Sequence, residues 1–135
     1  MDSDVAPTSV DFWFDPACPF TWITSRWMTR VAPERDLDVC WRSFSLFIKN
    51  EPDPDNPRYE RTLRTRELLR VVEAVRDAGN ADRVGALYTE FCRHIHVHER
   101  LEFDVAEALA SVGLDPQLAA AADDEHRRAG FDFGM

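Results

Sequence analysis

Basic charge is scarce in this sequence. Its 135 residues carry 16 Lys and Arg against 25 Asp and Glu, for a formal net charge of −9, and the pI is near 4.8. Nucleic acid and anionic membrane both call for basic patches, so neither is an expected partner. The start is acidic: Met1-Asp2-Ser3-Asp4-Val5 has neither a basic n-region nor an apolar h-region, so a leader is not expected. No run is long and apolar enough to span a bilayer, and no internal repeat stands out. Cysteines are few: the three are an odd number and stand far apart, at Cys18, Cys40 and Cys92. A structural disulfide framework is not expected from them. A soluble, cytoplasmic protein is the expectation.

What is present is one domain's worth of chain with an ordinary 44% hydrophobic share, enough for a real core. The informative stretch runs from Phe12 to Met28. Val10 to Phe14 is apolar and aromatic apart from Asp11 and fits an inner strand, expected over residues 9–15. Asp15-Pro16 breaks the run, because the residue before proline leaves the helical region. Cys18 is followed by Pro19, and proline is favoured at the first helical position. A helix is expected over 19–32, with Phe20, Ile23, Trp27 and Val31 forming one apolar stripe. This pattern puts a thiol at a helix N-terminus. Such an end carries roughly half a positive charge, enough to lower a thiol pKa from about 8.5 to about 7.5 and raise the reactive thiolate fraction. Thr21 lies one turn on and faces the same side. Its hydroxyl is able to donate to the thiolate, but it cannot form a disulfide.

Pro33 to Asp36 form the return, and Leu37 to Phe47 a second strand with Val39, Trp41 and Phe44 among its apolar residues. Strand, helix and strand with a short return make a right-handed βαβ unit with parallel strands. Glu51 to Pro57 is a proline-rich polar connector. Helices are expected over 58–78 and 82–93, from the cap at Asp104 to Gly113, and from Asp115-Pro116 to Gly130. The fold class is α/β: a βαβ unit over residues 1–50, a linker at 51–58 and a helical domain over 59–135.

Other chemistry-bearing residues have plainer readings. Cys40 and Cys92 read as core or helix-flank cysteines. His94 and His98 share a helical face at a zinc-like spacing, but no further ligand group completes a site, so no metal is expected. Arg26 and Arg30 read as solvated. The charged run Glu60 to Arg70 reads as an exposed face. Core packing accounts for most of Trp13, Trp22, Trp27 and Trp41, although Trp22 leaves the stripe and is placed to line a pocket beside Cys18.

The segment Asp15-Pro-Ala-Cys-Pro-Phe-Thr-Trp-Ile-Thr-Ser-Arg-Trp-Met28 resembles the active-site segment of DsbA-like, thioredoxin-fold oxidoreductases, and most closely the mycothiol-dependent nitroreductase family. Weaker similarity continues through Trp41 to Leu46, Leu87-Tyr88, Ile95-His96 and the alanines near Leu118. The resemblance implies a thioredoxin-like βαβ unit followed by a helical insertion acting as a lid. The family's later β-β-α part, with its cis-proline strand, has no counterpart here, so a C-terminally truncated form is expected. It also implies Cys18 as nucleophile, steadied by Thr21, which stands where members often carry a second cysteine. Pro19, Phe20, Trp22 and His96 would line the thiol pocket.

The expected activity is therefore a thiol-dependent reduction through a mixed disulfide at Cys18. No cofactor would be bound. Mycothiol or glutathione would be the co-substrate, and a small electrophile or disulfide the substrate. Two alternatives stand beside it. One is an enzyme like the kappa-type glutathione transferases or hydroxychromene-carboxylate isomerases, which need only one group at the helix start. The other is an inactive truncated relative that acts by pairing, with a homodimer formed through the exposed edge of the first strand.

Overall fold

A computed structural model describes residues 6–127. Strand β1 (Thr8–Phe14), helix α1 (Pro19–Val31) and strand β2 (Leu37–Ser43) form the βαβ unit. The strands pair in parallel, in register from Thr8 opposite Leu37 to Phe14 opposite Ser43. Alternation along β1 sends Phe12 and Phe14 into the core. On the other face Asp11 pairs with Arg42 at 2.8 Å.

The remaining α-helices are α2 (Leu46–Asn50), α3 (Tyr59–Asp77), α4 (Val84–Cys92) and α5 (Val105–Ser111). A π-helical turn (Arg93–Val97) extends α4, and a 3₁₀ segment (Pro116–Asp123) follows α5. The fold is thus mixed α/β, with a two-stranded parallel sheet among the described residues. The core joins Phe12 and Phe14 to Leu68, Leu69, Val72 and Val75 of α3 and to Leu87, Tyr88 and Phe91 of α4. Gly85 lets α4 approach the sheet, since a Cβ there would lie 2.6 Å from Trp41 Nε1.

Several expectations are corrected. The second strand stops at Ser43 rather than Phe47. Ser45 caps α2 by accepting the Ile48 N–H at 3.2 Å, and a residue bonded in that way has left the ladder. The last element is 3₁₀ rather than α and ends at Asp123, where Asp124 turns extended. Arg128 to Gly130 of the expected helix lie outside the described residues.

The charged run on α3 is not an exposed face. Thr62, Thr65, Leu68, Leu69 and Arg70 are buried. Arg64 donates to the Leu101 and Phe103 carbonyls, and Arg70 to that of Ala122. Segments wrap this helix, and arginine stems pack beneath them while the guanidinium forks satisfy their carbonyls.

The apolar stripe of α1 points outward. Phe20, Ile23 and Trp27 are 77%, 65% and 58% exposed, and Ser25 is the one buried residue of the helix. The opposite face docks instead. Arg26 is not solvated: it lies 4.2 Å over the Trp22 ring and donates to Thr89 Oγ1 of α4 at 2.8 Å.

Candidate functional site

The site is built on the turn between β1 and α1. Asp15-Pro16 ends the strand, Pro19 opens the helix, and Cys18 between them has an extended backbone and serves as the N-cap. Its Sγ accepts the Thr21 backbone N–H at 3.5 Å. A helix normally satisfies that N–H with the oxygen of Ser, Thr, Asp or Asn; here it is aimed at sulfur. Thr21 thus reaches the thiol through its amide rather than its hydroxyl. Cys18 is half-buried, while Pro16 and Ala17 before it are buried.

Three successive carbonyls of this turn have donors. The Asp15 oxygen accepts the Cys18 N–H at 3.0 Å. The Pro16 oxygen meets His96 Nε2 at 2.8 Å. The Ala17 oxygen accepts Arg61 Nε at 3.0 Å. A second guanidinium nitrogen of Arg61 lies 3.2 Å from His96 Nδ1. Arginine only donates, so Nδ1 must accept. The proton of the neutral ring is therefore on Nε2, which donates to Pro16. Burial lowers the His96 pKa below that of an ordinary imidazole, and the Arg61 charge adds to this against the opposing Pro16 carbonyl.

Beneath the turn, the buried Asp15 carboxylate accepts the Ala17 N–H at 2.9 Å and the Leu46 N–H at 2.7 Å. It ties the start of α2 to the cysteine turn. Burial pushes this carboxyl up; both N–H bonds, Thr65 and the Arg61 charge pull it back.

Of the residues singled out in the sequence, Cys18, Pro19, Thr21, Trp22 and His96 come together. The Trp22 and His96 rings stack with centroids 6.2 Å apart and planes 13° from parallel. Phe20 stands on the exposed outer face. Arg61 and Asp15 carry the site's polar bonds without having been singled out. Asp15 had a signal, since a carboxylate before a strand-ending proline often bonds the backbone two residues on. Arg61 had none, being one arginine in a charged run.

A cavity of about 260 Å³ is lined by Ile95, Glu99, Leu101 and the two residues that bond the turn's carbonyls, Arg61 and His96. His94 turns away from it, stacking on Phe103 at 4.4 Å and approaching Glu90 at 3.4 Å. The other cysteines are also free. Cys92 is fully buried, and burial pushes its thiol up to about 12, which removes it from thiolate chemistry. No helix among the described residues is long and apolar enough to cross a membrane.

Among curated proteins the chain is similar to the uncharacterized protein Rv2286c of Mycobacterium tuberculosis, at 30% identity over 121 residues. The similarity covers 87% of this chain and 53% of that protein, so the chain spans about half the length of the relative it matches. The model of the Rv2466c-like family, described as mycothiol-dependent nitroreductase Rv2466c, matches residues 17–131, from the cysteine turn through the helical half. By that match the chain belongs to the Rv2466c-like, mycothiol-dependent nitroreductase family.

Proposed function

We propose that this protein is a thiol-dependent oxidoreductase that works through Cys18 with a low-molecular-weight thiol, mycothiol in the first instance. The observation that carries this reading is the cysteine at the N-cap of α1, with a helix N–H directed at its sulfur. A helix start with a backbone donor aimed at the sulfur is a setting in which nucleophilic cysteines occur.

In the proposed cycle the Cys18 thiolate attacks one sulfur of a small disulfide. The Cys18–S bond forms, the original S–S bond breaks, and the departing thiolate takes a proton from water. A second thiolate from the pool then attacks the outer sulfur of the mixed disulfide and returns Cys18 as thiolate. The second half of the substrate leaves bonded to that pool thiol, and a further pool thiolate attacks this disulfide and frees it, so that two pool thiols end as their own disulfide and together supply both electrons. Thr21 stands where a resolving cysteine would otherwise be, so release depends on that external thiol. Trp22 and His96 stack beside the turn, and Arg61 and Glu99 give the cavity next to His96 polar groups suited to a polar thiol. The helical half acts as a lid over the thiol. A reducing, cytoplasmic setting goes with three unpaired cysteines.

The family match favours this redox reading over a kappa-type transferase or isomerase and over an inactive relative. The test is reduction of a small disulfide or nitro compound with mycothiol, and separately with glutathione. Mycothiol-dependent turnover lost in Cys18→Ser is the expected result. Turnover that survives Cys18→Ser would overturn the assignment.

A further inference from the structure

We propose that Arg61 is a positioning residue for Cys18: its guanidinium bridges the Ala17 carbonyl and His96, and so locks the turn that carries the thiol onto the helical half of the molecule. Arg61 sits in the first turns of α3, far from Cys18 in sequence. Its Nε holds the carbonyl of the residue before the cysteine, at 3.0 Å. Its second contact, 3.2 Å to His96 Nδ1, decides which ring nitrogen carries the proton. His96 then has a donor at Nε2, which holds the Pro16 carbonyl at 2.8 Å. One guanidinium thus fixes two consecutive carbonyls of the turn, one directly and one through the imidazole.

The same bridge joins three parts of the chain. The turn comes from the βαβ unit, Arg61 from α3, and His96 from the π-helical turn after α4. That turn adds one residue to the helical repeat; it sends His94 toward Phe103 and His96 toward Pro16. The Asp15 carboxylate lies under the bridge and feels the Arg61 charge. Glu99, in the adjoining cavity, is the other charged side chain there. Trp22 covers the imidazole from α1. Without Arg61, His96 Nδ1 has no donor, either tautomer is allowed, and both carbonyl tethers slacken.

The proposal rests on the reading of Cys18 as the functional thiol, but its test does not need turnover. Cys18 is modified with a small aromatic disulfide in wild type, Arg61→Met and Arg64→Met, with Cys40 followed as an internal reference and His96 titrated by NMR. Arg64 is the control, because it sits on the same helix and bonds backbone carbonyls elsewhere. In Arg61→Met the Cys18 rate relative to Cys40 should fall roughly tenfold or more, as misplacement of a reacting group does. His96 should titrate at higher pH, since a neighbouring cation is gone. Arg64→Met should do neither. If Arg61→Met fails to fold, Arg61→Lys is read in the same way: its single ammonium cannot span both acceptors, so the Cys18 rate should still fall. An unchanged Cys18 rate in whichever of these variants folds, or an equal fall in Arg64→Met, would overturn the proposal. If Cys18 reacts readily in wild type and its rate falls in Arg61→Met, absence of thiol-dependent turnover in wild type would count against the enzyme assignment and leave the bridge standing.

Discussion

His96 has both ring nitrogens committed, one to a carbonyl and one to a cation that can only donate. Adding a proton puts an N–H against that cation. The folded state therefore prefers the neutral ring, and its imidazole titrates lower than in the unfolded chain. A base depressed in this way contributes stability above its unfolded value, about 6.5, and that contribution is lost as pH falls through the folded value. Glutamine offers one donor and one acceptor but does not titrate. The stability gap between wild type and His96→Gln, measured by urea unfolding, should shift in favour of the variant as pH drops from 7 to 5. A gap that stays constant over that range would contradict this account of the ring.

At this scale the sequence was informative only where chemistry is local. Cys18 before Pro19 announces a thiol at a helix start, and the structure puts it there. The bonds from Arg61 and His96 to the turn span 44 and 80 residues. No local pattern marks which arginine of a charged run makes such a reach.

Among the elements, α1 separates what periodicity can say from what it cannot. A 3.6-residue repeat correctly marks Phe20, Ile23 and Trp27 as one face. It does not say what that face meets, and here the opposite side docks, through Trp22, the small Ser25 and Arg26. On α3 the error is of another kind: arginine counts as charge in a pattern, while in the fold its stem packs and its fork satisfies carbonyls. The βαβ order and parallel pairing were legible because handedness and short connections leave few choices. The contact between α4 and the sheet carries its own test. Trp41 packs against Phe12 at 5.0 Å and Tyr88 at 5.8 Å, which holds its indole against Gly85. An alanine at Gly85 gains up to about 1 kcal/mol of helix propensity but drives its Cβ into that ring. Overpacking of this kind costs about 1–3 kcal/mol, so Gly85→Ala should lower the urea midpoint. A raised midpoint would show that Trp41 is free to move.

For the whole molecule, the outer face of α1 and strand β1 lie on the same βαβ unit. Among the described residues β1 has one neighbour, β2. We propose that the exposed face of Phe20, Ile23 and Trp27 is a pairing surface for a second copy of the chain. Sedimentation should show concentration-dependent association that Trp27→Glu weakens without changing the helix signal. A monomer at every concentration would remove the dimer.

The central claim concerns Cys18, and intact mass after brief exposure to a low-molecular-weight disulfide tests it most directly. Wild type should gain a single adduct, mapped to Cys18 and absent in Cys18→Ser, with Cys92 modified only after unfolding. Slow adducts spread over all three cysteines, or first at Cys40, would mean that this turn does not activate its thiol, and the proposed chemistry would fall with it.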